Sequence, residues 1–305
     1  MEGAIRELVE SARGEVAGVV FYGSRRTQAA RADAHSAYDI FLVLRSYRAA
    51  YKALADAGRI GRPPWLLAFL NTFLPPNQVS LRFGNPPLHL KCCVLSLRAF
   101  LRETSPRRQD HFCIGRLFQP CAILYAADAD TSERLVGALV SAFEETYRWG
   151  RPWLPERFDA EAYGRRLLEV SLGREIRPEP SGRAEALWRA QREEQVPLFG
   201  LLLDDLRARG DLREAAPAGY ALLKPVSWGE RVGLRVYFVR SLVRATLRWL
   251  KHVATFEGWL DYLLRKARRH SGEDIVLTEH ERRYPLLLLW PRVFRYLKRK
   301  DDKRP

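Results

Sequence analysis

The chain has 305 residues, 47% of them hydrophobic and 11% aromatic, which excludes a disordered polyelectrolyte and suffices for two compact domains. Its 51 Lys and Arg against 36 Asp and Glu give a formal charge of +15, so its surface suits polyanions such as nucleotides, nucleic acid or anionic lipid rather than cationic partners. Cys92, Cys93, Cys113 and Cys121 form no C-x-x-C pair and no zinc spacing with the six histidines, which argues against a metal-stapled fold and for a reducing, cytoplasmic compartment.

Residues 4 to 13 read as a short amphipathic helix, with charges where a signal peptide needs an apolar core. The run VAGVVFYG (16 to 23) ends in glycine as a buried strand would, and AYDIFLVL (37 to 44) reads as a second strand. Further strands are predicted at 78 to 83, 88 to 97 and 120 to 126, with helices at 46 to 57, 63 to 73 and 108 to 118. From about 130 the apolar spacing is helical, in SERLVGALVSAFEETYRW, AEAYGRRLLEVSL and GRAEALWRAQREEQVPLFGLLLDDLRARG, with breaks at 150 to 155, 173 to 182 and 216 to 229. The pattern predicts an α/β domain over 1–128 and a mainly α-helical domain over 129–305. No run approaches the roughly 20 apolar residues that span a bilayer, so any membrane contact is expected to be peripheral.

Chemistry concentrates at the end of the first strand. Glycine at 23 lets the backbone approach a phosphate, Ser24 and the N–H groups of a helix starting there would bind its oxygens, and Asp39 on the following strand would hold a magnesium ion bridging phosphates. A tight turn followed by an ordinary strand-end Asp fits the same residues. Strand, Gly-Ser turn and Asp-bearing strand together resemble the DNA polymerase beta superfamily of nucleotidyltransferases. That superfamily usually carries a second carboxylate two residues on; here Asp39-Ile40-Phe41 has none.

Four stretches, FYGS (21 to 24), YDIFLVL (38 to 44), LKCCVLSLRAFL (90 to 101) and FCIGRLFQPCAIL (112 to 124), resemble in order and spacing the mitochondrial-type CDP-diacylglycerol synthases of the translocator assembly and maintenance family, which also lack the second carboxylate. The resemblance covers roughly the first 125 residues. It implies a polymerase-beta-like mixed sheet with flanking helices, Mg2+ as cofactor, and CTP and phosphatidic acid as substrates. Carried over by position, it makes Tyr22, Gly23 and Ser24 the substrate-binding turn, Asp39 the metal ligand, and Lys91 and Arg116 the catalytic cations. Each of those cations lies inside an apolar run, where a buried charge requires an anion. The chain departs from the family at Cys92-Cys93 and over PPNQVSLRF (75 to 83), where Asn77 and Ser80 are the candidate substrate-binding polar groups. Other acceptors, a small molecule or RNA, would suit the same fold. A non-catalytic nucleic-acid-binding protein would suit the charge, but no recognition helix or aromatic RNA-binding motif is present, and no nucleic-acid partner is expected.

A lipid substrate requires a membrane surface. Helical geometry over 235 to 251 puts Arg240, Arg244, Arg248 and Lys251 on one stripe opposite a wide face with Phe238, Val239, Leu242, Val243, Thr246, Leu250 and Trp249. Such a helix is expected to lay its basic stripe on an anionic membrane surface, or else to bury its apolar face in the core. The segment 286 to 300 again mixes aromatics, leucines and cations. His270 and His280 fit no metal spacing and read as polar residues at a turn between helices.

Overall fold

The computed structural model describes residues 1–23, 25–26, 37–174, 182–216, 219–255, 264 and 277–283, apart from the side chains of residues 249, 253 and 254. Short apolar runs bounded by turns become strands. β1 (Val16–Tyr22) pairs antiparallel with β2 (Tyr38–Leu44), and β2 pairs in parallel with β4 (Leu88–Ser96). A parallel pair needs a long crossover, supplied here by α2 (Tyr47–Asp56), α3 (Pro64–Phe73) and β3 (Asn77–Phe83), the last returning antiparallel along β4. With β5 (Ala122–Ala126) against β1, the sheet runs in the order β3-β4-β2-β1-β5, a mixed sheet flanked by helices.

The two faces of the sheet are covered by different helices. On one face, α1 (Glu2–Ser11), α2 and α3 set Leu8, Tyr51, Leu54 and Leu67 against Ile40, Leu42, Leu90 and Cys92. On the other, α4 (Leu97–Glu103), α5 (Ile114–Leu117), α6 (Ala129–Gly150), α7 (Ala160–Gly173) and α8 (Arg183–Ala208) gather around Phe41, Val43, Cys93 and Leu95. Polar side chains mark several helix starts. Ser46, Ser96, Asp128 and Asp159 accept backbone N–H bonds from Ala49, Ala99, Thr131 and Ala162, each cap contributing about 1 kcal/mol. α7 and α8 approach closely because Gly164 leaves room: a Cβ there would lie 2.4 Å from the Trp188 ring and 2.5 Å from Phe199.

Residues 1–257 form one compact unit and 258–305 a second. The division expected at 128/129 therefore lies inside the first unit. The cause is the core itself, in which sheet residues Val20, Phe41 and Leu95 share one apolar cluster with Leu135, Leu167, Trp188 and Phe199 of the later helices. The helix expected over 108 to 118 shrinks to α5, because local side chains capture the preceding backbone: Glu103 accepts the Gln109 N–H at 2.9 Å and Asp110 the Phe112 N–H at 3.0 Å. A short hairpin, β6 (Leu212–Glu214) with β7 (Tyr220–Leu222), straddles the start of the break predicted at 216 to 229. In the second unit the described helix Glu279–Arg283 carries His280 and opens with Thr278 and Glu281 in reciprocal capping contact. His270 and the segment 286 to 300 lie outside the described residues.

α9 (Trp228–Thr255) has the predicted stripe but faces the opposite way. Arg244 and Arg248 pair with the buried Asp110 at 2.8 and 2.5 Å, Arg240 donates to the Gln109 carbonyl at 2.9 Å, and Lys251 donates to the carbonyls of Leu70, Leu74 and Pro76. The stripe thus turns toward the protein, because a buried carboxylate and the carbonyls around the end of α3 need cations. Val236, Val239, Leu242, Val243, Leu247 and Leu250 are left exposed, as are Trp65, Phe69 and Phe73 of the uncharged α3. No helix among the described residues is long and apolar enough to cross a membrane.

Candidate functional site

Strand register gathers the predicted site residues. Tyr22 on β1 pairs with Asp39 on β2, Asp39 with Lys91 on β4, and Lys91 with Ser80 on β3. Directly paired residues share a face of the sheet, so these four residues form one row across four strands. They point to the same side as Phe41 and Cys93, whose own row is buried under the helices. Moving along the strands, the core gives way to polar side chains. Asp39 is 30% exposed and Lys91 16%, with Lys91 Nζ 3.6 Å from Asp39 Oδ1. That separation is an ion pair and not a tight hydrogen bond, so the carboxylate keeps acceptor capacity for another cation.

Gly23 closes the row. Its φ of +87° is a conformation that favours glycine, and a Cβ at this position would stand 3.1 Å from Asp39 Oδ2. The turn therefore presses its backbone against the carboxylate. Arg26 N–H returns to the Gly23 carbonyl at 2.9 Å, Arg25 stacks on Tyr38 at 4.2 Å, and Arg26 pairs with Glu194 of α8 at 2.8 Å. Ser24 and the helix expected after it lie outside the described residues.

Arg116 on α5 is half-buried, stacked 4.0 Å over the Phe112 ring with one guanidinium nitrogen bonded to the Phe112 carbonyl at 2.8 Å. It lies close enough to Tyr22 and His111 for its charge to lower the pKa of both. Tyr22 is nonetheless held well above the usual phenol range by burial, then by Cys93 and Asp39, and its hydroxyl sits 3.2 Å from Cys93 Sγ. It packs 4.6 Å from Phe41 as the floor of the row. Phe41 stands where the resemblance to the nucleotidyltransferases would put a second acid. It is fully buried against Tyr22, Phe100 and Phe112, where an ionised carboxylate would be costly.

Asn77 is placed elsewhere. It pairs with Val94, facing the opposite side of the sheet from Ser80 and Lys91; its side-chain NH2 donates to the Tyr51 hydroxyl and the Leu67 carbonyl at 3.0 and 2.8 Å, while its Oδ1 is buried without a hydrogen-bond partner among the described residues. A fully buried amide needs internal partners, and this one fastens α2 and α3 to β3. The fold adds two residues that were not singled out in the sequence, Arg82 and His89, paired with each other one row beyond Ser80 and Lys91 on the same face. The period-two alternation in SLRF and LHLK carries the signal that reveals them.

Magnesium binds through one or two carboxylates, with waters and substrate phosphates completing its shell. Among the described residues no three His, Cys, Asp or Glu converge, so those residues offer no all-protein cage. Asp39, partly exposed and only loosely paired, fits a magnesium ion shared with a bound polyphosphate. Compared with known proteins, the chain matches no family model and no curated relative.

Proposed function

We propose that the chain is a magnesium-dependent cytidylyltransferase with a polymerase-beta-like nucleotidyltransferase domain, converting CTP and phosphatidic acid to CDP-diacylglycerol and pyrophosphate at a membrane surface on the cytoplasmic side. The observation that carries the reading is the Gly23 backbone closing on the Asp39 carboxylate beside Lys91 on an open sheet face. A glycine turn against a single carboxylate suits a triphosphate held jointly by backbone and metal.

A phosphate oxygen of the acceptor attacks the α-phosphorus of CTP; a new phosphorus–oxygen bond forms, the bridge to the β-phosphate breaks, and pyrophosphate leaves with the bonding electrons. The attacking oxygen is already ionised near neutral pH, so no proton has to be removed and no second carboxylate is needed as base. Lys91 and Arg116 offset the negative charge that accumulates as the two anions meet, while Tyr22 stays neutral beneath them. Bound magnesium would supply additional charge neutralisation on the triphosphate.

The outward apolar face of α9 and the aromatic stripe of α3 support a peripheral membrane contact. An exposed apolar surface of this extent is unusual on a monomer, and an overall charge of +15 favours an anionic bilayer over a second copy of the same chain. The reading is tested by incubating the full chain with Mg2+, radiolabelled CTP and phosphatidate micelles. The expected product is lipid-extractable label with stoichiometric pyrophosphate. Label transferred instead to a soluble acceptor would assign a different nucleotidyltransferase reaction, and salt-sensitive nucleic-acid binding without turnover would replace the enzyme reading.

A further inference from the structure

The polar end of the sheet extends past the four residues that the proposed reaction uses. Arg82 and His89 are directly paired on β3 and β4, and Ser80 and Lys91 form the adjacent pair. All four project from the face that also bears Asp39, two residues apart along each strand. Direct cross-strand neighbours on one face stand about 5 Å apart at Cβ and diagonal ones about 7 to 8 Å, so Arg82, His89 and Lys91 can converge on one group the size of a phosphate. Ser80 and Arg82 are exposed and His89 and Lys91 half-buried. The helices that cover Phe41 and Cys93 thus leave this end of the sheet open. Asp39 is the one carboxylate among the described strand residues on the open end, and it already faces Lys91. Nor does the Arg82 guanidinium form an ion pair with any described residue. Cationic side chains therefore dominate a concentrated patch beside the reacting centre, on the β4 side of Asp39 and away from the Gly23 turn on β1.

We propose that Arg82, His89 and Lys91, with the Ser80 hydroxyl, form an acceptor subsite that binds a phosphate monoester dianion. The inference rests on the cytidylyltransferase reading and assigns its second substrate a place: triphosphate toward Gly23, acceptor phosphate toward β3. A guanidinium fork matches two phosphate oxygens at once, and an imidazole N–H and a hydroxyl donate to the others. A monoester carries close to two charges at neutral pH and a diester only one, so the subsite selects the monoester.

The test uses the full-length chain and three probes by titration calorimetry without nucleotide: glycerol 3-phosphate, dioctanoyl phosphatidate and dioctanoyl phosphatidylglycerol. Wild type is expected to bind both monoesters and to bind the diester at least tenfold more weakly. Equal affinity for the two monoesters identifies the phosphate group by itself as the recognised element, whereas binding of phosphatidate alone identifies the acylated lipid, since both probes carry the same phosphate. Arg82→Gln and His89→Gln together should weaken monoester binding at least tenfold and raise the KM for phosphatidate by a similar factor, with the affinity for MgCTP within twofold of wild type. Arg82→Lys should recover part of the loss, which a merely structural role would not require. Monoester affinity unchanged in the double variant, or diester bound as tightly as monoester, overturns the subsite. If turnover with CTP and phosphatidate persists in that case, the cytidylyltransferase reading survives. Monoester binding that depends on Arg82 and His89 in a chain that never turns over CTP keeps the subsite and sinks the reading.

Discussion

At the residue scale, the site depends on a contact that only glycine permits. Gly23→Ala places a methyl against the Asp39 carboxylate and forces a left-handed conformation costing about 1 to 2 kcal/mol. The expected result is a melting temperature a few degrees lower and a loss of at least tenfold in kcat/KM, read by circular dichroism and by the lipid-extraction assay. Asp39→Asn separates chemistry from stability: the side chain is partly exposed and its ion pair with Lys91 is loose, contributing at most about 1 kcal/mol. Turnover should fall at least 100-fold while the melting temperature holds within about two degrees; a folded variant with near wild-type activity removes Asp39 from the mechanism. His111 belongs to the core and not to the row. Burial, then the charges of Arg108 and Arg116, hold its pKa down to about 3, against a weak opposing pull from Asp110. Its Nε2 lies 3.2 Å from the Ser171 hydroxyl and its Nδ1 3.4 Å from that of Tyr237. Between pH 6.5 and 3 the unfolded chain binds a proton at this residue that the folded chain refuses. Stability therefore falls as pH drops through that window, by about 1.4 kcal/mol per unit at its steepest. Urea melts from pH 7 to 4 should show the decline, and His111→Gln should flatten it.

At the scale of the element, α9 shows that an amphipathic pattern fixes a stripe but not its direction. Its arginines hold the helix to the body of the protein, and its valines and leucines face out. Arg248→Gln leaves Asp110 buried with only part of its ion pairing and should cost about 3 to 5 kcal/mol, visible as an early thermal transition. Changing Leu242, Val243 and Leu247 together to Gln removes exposed apolar surface at little cost in helix propensity. That variant should melt near wild type yet sediment poorly with phosphatidate-containing vesicles. Unchanged sedimentation would move the membrane contact away from α9. Lys251 belongs to the same inward stripe: burial, then Arg248 and Arg244, depress its pKa to about 7, while the carbonyls of Leu70 and Pro76 hold its nitrogen.

For the molecule as a whole, the shared core removes any seam at residue 128. A fragment of residues 1–128 would expose Phe41, Val43, Leu95 and Phe100, which in the intact chain pack with Leu135, Trp149 and Leu167. Uncovering several such side chains costs about 1.5 to 3 kcal/mol each, enough to exceed the net stability of an ordinary domain. The fragment is expected to lack a cooperative transition in calorimetry, and a sharp transition comparable to that of the full chain would restore the two-domain division. The Arg26–Glu194 pair places α8 beside the Gly23 turn, so the later helices border the candidate site as well as roofing the sheet.

The sequence by itself determined the strands and most helices, because period-two and period-3.6 apolar patterns are local properties of the chain. It also determined that Gly23 and Asp39 fall at strand ends, that Lys91 and Ser80 fall inside strands, and that Arg240, Arg244, Arg248 and Lys251 fall on one stripe. Tertiary structure decided which residues meet. Strand register, a non-local property, put Tyr22, Asp39, Lys91 and Ser80 in one row with Arg82 and His89 beside them, and turned Asn77 to the other face. The buried Asp110 decided which way α9 turns, since a carboxylate removed from water and left without a cation is strongly destabilising. The closeness of Gly23 to Asp39 depends on both levels: the glycine is written in the chain, but only the antiparallel pairing of β1 with β2 brings the carboxylate to it.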